Sequence, residues 1–273
     1  NARQALALEP GLNPEVRAAI RVPDAGMDPF RLPMHFFASA RAGGAEIHEF
    51  TAVTRIRTRS GRISGVVVHR RTTGEEFWVD GNIVVNAAGA WAGRVAAQAG
   101  VRVPVRPGPG VMVSLAARVC NRVVNRMPPA GEGDILVPQR RGVVLGPTLW
   151  LADDPDRPGV PADHVRRVQT LCAAMVPAAA DPAPHVAWSA CRPLIEDGVQ
   201  EEAPQQISRS FTCWDHGQRD GLAGLVSLIG GKATTLRAMA EAAADRICEL
   251  TGRRIACRTR DLPLLGHRHF YRG

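Results

Sequence analysis

Lysine occurs once in this chain, as Lys232 in "IGGKATTLR", although Lys and Arg together number 34 among the 273 residues. A compact ammonium placed after two glycines, where an arginine-rich sequence otherwise uses guanidinium, points to a task that a planar fork does not perform. The glycines Gly230 and Gly231 allow the backbone to approach a ligand without an intervening Cβ. The N–H groups of the helix that follows attract partial negative charge. The same stretch also reads as an ordinary helix start, and the lysine is what argues against that. Arg192 in "ACRPLI" and Arg209 in "ISRSFT" supply the complementary chemistry, a flat fork suited to phosphate or carboxylate. Both fall on expected strands, and they form an anion pocket with Lys232 if those strands converge.

Other chemistry is poorly supported. The six cysteines, at 120, 172, 191, 213, 248 and 257, include no CxxC pair and no ligand spacing with histidine, so no metal site is expected and the thiols read as reduced. The formal net charge is +8, but the arginines are scattered and no aromatic platform accompanies them, so nucleic acid is not expected as a partner. The longest apolar run near the C-terminal end, residues 221 to 231, is about half of the roughly 20 residues needed to span a bilayer.

The elements that must hold these residues follow from pattern. Residues 2 to 8 and 28 to 41 read as helices, the second closed by Gly43 and Gly44. Strands are expected at 46–56, 65–69 and 76–79, with "RSGR" and "TTGE" as turns. Asn82 to Asn86 reads as a buried parallel strand that passes through Ala88, Gly89 and Ala90 into a helix at 92–99. The stretch "VRVPVRPGPG" marks an excursion, and strands follow at 111–115, 134–137 and 142–145. A helix is expected at 163–176, with Val165, Val168, Leu171, Cys172 and Met175 on one face. Strands at 186–191, 207–214 and 222–229 precede a long helix at 233–250. Twice, therefore, a buried strand runs through a glycine turn into a helix, the arrangement that presents backbone N–H groups to a nucleotide. The GxGxxG fingerprint of dinucleotide binding is absent, and Gly108-Pro109-Gly110 lacks its spacing.

Taken in order, "EPGLNPEVRAAIRVPDAGMDPFRL", "GAEIHEFTAVTRI", "VVNAAGAWAGRVA", "GDILVPQ", "ACRPLI", "ISRSFTCWDH" and "GLVSLIGGKATTLRAMAEAAADRI" resemble FAD-dependent glycerol-3-phosphate dehydrogenases. The branch is that of the catalytic components of the anaerobic, quinone-linked enzymes, within the D-amino-acid oxidase and glycine oxidase superfamily. The resemblance extends from about Leu8 to Leu265. It implies an α/β (α+β) fold in which a partial Rossmann-like FAD-binding domain carries an inserted mixed or antiparallel β-sheet substrate domain. The implied boundaries are 1–105 for the FAD-binding part, 106–214 for the substrate domain, 215–251 for the return to the FAD-binding part, and 252–273 for the start of a C-terminal extension. With Asn1 first and the fingerprint missing, the chain is expected to be truncated at its N-terminus and at its C-terminus, and by itself to bind FAD poorly and turn over little.

Carried over by residue, the resemblance places the backbone of Val53 against the adenine of FAD. Ala88, Gly89 and Ala90 line the cofactor at the first turn, and Gly230, Gly231, Lys232, Ala233 and Thr234 meet its isoalloxazine ring. Arg192 and Arg209 hold the substrate phosphate, with Lys232 beside the reacting carbon. The implied reaction oxidises sn-glycerol 3-phosphate to dihydroxyacetone phosphate, with electrons passed to quinone. The implied setting is cytoplasmic, peripheral on the membrane face and alongside other subunits. The chain has no histidine at Gly110-Val111-Met112, where the aerobic branch of the family commonly carries one, which leaves the base unassigned, and it carries Ala233 and Leu236 for the family's leucine and tyrosine. Two other readings stand beside this one: an FAD-dependent amine or 2-hydroxy-acid oxidoreductase of the same superfamily, and an inactive flavin-free fragment.

Overall fold

The computed structural model describes residues 1–23, 25–126, 134–180, 186–196 and 210–272. They group into two compact units, the first from 1–28 and 107–192, the second from 29–106, 193–196 and 210–272. Residues 1–28, which the sequence groups with 29–105, therefore cluster with 107–192.

In the first unit, α1 (Ala2–Leu8) is capped by Asn1, whose side chain accepts from the Gln4 amide. Glu9 follows the helix and is buried. Its carboxylate accepts from the amides of Gly11, Asn121 and Arg122, which ties α1 to the 118–122 loop. Strands β5 (Val105–Leu115), β6 (Val124–Asn125), β7 (Ile135–Gln139), β8 (Gly142–Gly146) and β9 (Val186–Ile195) make one sheet in the order β6-β7-β8-β5-β9. Helix α4 (Ala162–Met175) packs on it through Val168 and Cys172, both fully buried, with Val165 and Met175 alongside. Of the face expected from periodicity, these four residues join the core.

Within the proline-rich stretch the chain passes from one unit to the other, at 106/107, as the expected excursion requires; the strand expected from 111, however, already starts at Val105 and runs through Pro107 and Pro109. Alternate residues of a strand point their backbone groups to the same side, and here the carbonyls of Pro107 and Pro109 accept from the amides of Ala152 and Trp150. The two prolines share one side of the strand, so the donors they lack are missing from that side only.

In the second unit, α2 (Arg31–Ala42) ends at Gly43 as expected and starts later than residue 28. Strands β1 (Thr51–Arg59), β2 (Arg62–Arg70) and β3 (Glu76–Asp80) form the expected antiparallel meander. β1 begins at Thr51 rather than at 46, because Phe50 has φ +52° and its carbonyl is taken by the Arg71 amide, which interrupts extended backbone. Strands β4 (Val84–Asn86), β10 (Phe211–Asp215) and β11 (Leu225–Gly230) form the last sheet, in the order β10-β11-β4, with β4 and β11 parallel. The strand expected at 207–214 is thus seen from Phe211, and positions 207–209 lie outside the described residues. After β4 comes a 3-10 turn, Gly89–Trp91, and α3 (Ala92–Ala97); after β11 comes a second 3-10 turn, Ala233–Thr235, and α6 (Leu236–Leu250). Ala92, Ala96, Val103, Ile195 and Ile229 form a core beneath them. The C-terminal segment lies against α2, where Phe270 stacks beside Phe37 and under the Arg41 guanidinium.

Candidate functional site

Parallel strands end at the same edge of a sheet, and open α/β sheets bind ligands beyond that carboxyl edge. In this chain β4 and β11 are parallel neighbours, with Asn86 opposite Ser227 in the register. The turn at Ala88, Gly89 and Ala90 and the turn at Gly230, Gly231, Lys232, Ala233 and Thr234 consequently lie side by side. Eight of the residues expected to bind a cofactor are brought together at this edge. Val53 is placed on a different sheet, where its carbonyl accepts from Gln98 Nε2 at 3.4 Å.

The first turn is built for close approach. Gly89 has φ +57°, and a Cβ there would meet no heavy atom within 4 Å, so bare backbone faces outward. Asn86 holds the turn from beneath: its Oδ1 accepts from the Ala88 amide at 3.3 Å and its Nδ2 donates to the Ala92 carbonyl at 2.8 Å. The second turn has positive φ at both Gly230 and Gly231, and the Met239 sulfur occupies the place a Cβ on Gly231 would take. Lys232 follows with extended backbone, its amide donating to Thr235 Oγ1 at 3.0 Å and its carbonyl accepting from the same hydroxyl at 2.9 Å. Thr235 thereby fixes the main chain from which an exposed ammonium projects. Glycine backbone, the N-terminal N–H groups of two helical turns and one compact cation fit the demands of a flavin dinucleotide.

Arg192 belongs to the first unit, on β9. Its Nη1 donates to the carbonyls of Gly108 (3.2 Å) and Pro109 (3.5 Å), which fixes the plane of the fork. Arg209 lies outside the described residues. Lys232 belongs to the second unit, so Arg192 and Lys232 are described each within its own unit. Among the described residues, no group of three or more His, Cys, Asp and Glu is arranged to hold a metal ion, and no helix is long and apolar enough to cross a membrane.

The sequence reading missed the groups beneath these turns. Ser227, fully buried, accepts from Asn86 Nδ2 at 3.3 Å and lies 2.8 Å from His216 Nε2, and His216 Nδ1 lies 2.5 Å from Asp220 Oδ2. One local signal was present: in "DHGQRD" the histidine and aspartate stand four apart, the spacing of neighbours on a helix. They sit on the short helix α5 (His216–Asp220), capped by Asp215. Thr235 was visible only as one of two threonines after the lysine.

The model of the FAD dependent oxidoreductase family matches residues 1–246. The chain is 40% identical to the A1 component of the anaerobic glycerol-3-phosphate dehydrogenase of Haloferax volcanii, across 99% of this chain and 48% of that protein. It is 34% identical to the corresponding component of the anaerobic enzyme of Escherichia coli K12, across 97% and 49%. The chain thus spans about half the length of the curated relatives it matches. Among solved structures it superposes on the FAD complex of Bacillus halodurans glycerol-3-phosphate dehydrogenase with a TM-score of 0.72 at 22% identity, covering 100% of this chain and 54% of that one. Glycine oxidase from Geobacillus kaustophilus gives a TM-score of 0.69 at 24% identity, covering 97% and 65%. These two structural likenesses speak for the fold.

Proposed function

The chain belongs to the FAD dependent oxidoreductase family, and on that premise we propose that it is part of a glycerol-3-phosphate dehydrogenase that oxidises sn-glycerol 3-phosphate to dihydroxyacetone phosphate and delivers the electrons to quinone with the help of other subunits. The observation that carries the reading is the pair of glycine turns at the carboxyl edge of β4 and β11, with the single lysine of the chain projecting from one of them.

In this reading residues 1–105 and 215–251 contribute to flavin binding, 106–214 to the substrate side, and 252–273 to a C-terminal extension. FAD, when bound, supplies the two-electron acceptor for the secondary alcohol. Gly89, Ala90, Ala233 and Thr234 offer backbone N–H groups to it, Ala88, Gly230, Gly231 and Lys232 offer main chain whose approach the glycines keep open, and Val53 offers its backbone to the adenine. Arg192 and Arg209 bind the substrate phosphate and orient the carbinol. Lys232 stabilises negative charge that develops on the substrate oxygen, a task for a localised cation at a helical N-terminus. The fit of Arg192 to phosphate rests on its fork being pinned by two carbonyls rather than free to rotate.

The test is dye-linked oxidation by the full-length encoded protein, with sn-glycerol 3-phosphate set against glycine, proline and 2-hydroxyglutarate. Turnover of the phosphate ester with none of the others is the expected result. Turnover of an amino acid or hydroxy acid alone would overturn the substrate, and a protein that takes up no flavin would overturn the flavin reading itself.

A further inference from the structure

Asp220, His216, Ser227 and Asn86 form a continuous hydrogen-bonded line from Asp220, exposed at the edge of α5, through the buried His216, Ser227 and Asn86 to the turn after β4. The contacts have the order of a hydrolase triad, carboxylate to imidazole to hydroxyl. Burial excludes that chemistry, because Ser227 and His216 are both 0% exposed and no substrate reaches them.

Proton bookkeeping gives the line a direction. An Asp220 carboxylate can only accept, so His216 carries its hydrogen on Nδ1 and donates it there. In the neutral imidazole His216 Nε2 is then the acceptor, and the Ser227 hydroxyl donates to it. With its hydrogen committed, Ser227 Oγ accepts from Asn86 Nδ2 at 3.3 Å. Asn86 is thereby held with Nδ2 toward Ser227 and the Ala92 carbonyl, and with Oδ1 toward the Ala88 amide. A flip of that amide would set Nδ2 against the Ala88 N–H and Oδ1 against the Ala92 carbonyl, breaking both bonds at once.

We propose that Asp220, His216 and Ser227 are positioning residues that fix the orientation of Asn86 and through it the Ala88–Ala90 turn, so that the turn meets FAD in a single preformed geometry. The cofactor clause rests on the flavin reading above; the clause that the line holds the turn does not. Hydrogen bonds of this kind matter most when one partner is removed in a buried setting, where the survivor is left unsatisfied.

The experiment uses the full-length encoded protein as wild type, Ser227→Ala, Asp220→Ala and Asp220→Asn. Val168→Ala, in the core of the first unit, serves as a control for general loss of stability. Amide hydrogen exchange at Ala88 and Trp91 is measured without flavin, and FAD affinity by fluorescence titration. Ser227→Ala and Asp220→Ala are expected to speed exchange at those amides and raise the FAD Kd by about tenfold each. Asp220→Asn, whose carbonyl still accepts from Nδ1–H, and Val168→Ala are expected to stay within about twofold of wild type. Wild-type exchange rates in both alanine variants would overturn the proposal. Faster exchange with unchanged FAD affinity would overturn its cofactor clause. Faster exchange in a protein whose wild type takes up no FAD would support the structural clause and sink the flavin reading instead.

Discussion

The guanidinium of Arg192 lies against Gly110, so that a Cβ at Gly110 would stand 2.7 Å from Nη1 and 2.9 Å from Nη2. The same Cβ would also strike the carbonyl oxygen of Thr148, which is backbone and cannot swing aside. Gly110→Ala is therefore expected to displace the arginine and to cost about 1–3 kcal/mol of stability through overpacking. If Arg192 grips the substrate phosphate, KM for glycerol 3-phosphate rises about tenfold or more while kcat falls less. Steady-state kinetics and urea unfolding on one preparation check both parts; an unchanged KM would remove Arg192 from the substrate site.

Lys232 is exposed, and Thr235 secures its backbone, so trimming its side chain should leave folding intact. Lys232→Ala is expected to lower kcat by about 100-fold, the scale for losing one preorganised charge at a developing oxyanion. Lys232→Arg is expected to recover little of this, since a broad fork does not reproduce a point charge. Thermal melting of both variants at the wild-type temperature, together with the dye-linked rate, is the check.

The alkaline stability of this chain is unusually readable. It has one lysine and one tyrosine, so cysteines dominate titration above pH 9. Burial pushes the Cys172 thiol up to about 12, and burial together with the charge of Glu9 pushes Cys120 up to about 11. The folded state therefore holds these protons after the unfolded state has released them. Their contribution is fully present below the unfolded thiol value and is lost as pH rises through the folded one. Each such thiol adds a slope of about −1.4 kcal/mol per pH unit between the two values. Unfolding free energies from pH 8 to 11 should fall in the wild type and fall less steeply in Cys172→Ala; equal slopes would show that Cys172 is not held as a protonated thiol.

Glu9 joins α1 to the 118–122 loop through three backbone amides. Glu9→Gln replaces one accepting oxygen with a donor that faces an N–H. It is expected to destabilise the protein by about 2 kcal/mol, the scale for hydrogen bonds to a charged group. Urea unfolding measures it.

Much of this protein is legible in its sequence because the relevant physics is local. Helix α1, the β1–β2–β3 meander, the long helix α6 and the two strand-glycine-helix passages follow from periodicity and from glycine in its neighbourhood. The isolation of Lys232 is a matter of composition. Local rules failed where a distant segment supplied the missing partner. Prolines 107 and 109 read as punctuation, yet they lie in a strand, since their carbonyls are taken by the amides of Ala152 and Trp150. That Gly110 must be glycine became visible only with Arg192, on another strand, laid over it.

What the sequence by itself determined, then, is which residues bring charge and bare backbone to a turn. Only the tertiary structure decided what holds those turns in place. Asn86 and Ser227 are 141 residues apart and meet because β4 and β11 are parallel neighbours. Their pairing is set by the register of a sheet, a non-local choice made by burial of the whole β10-β11-β4 layer rather than by the residues beside either one.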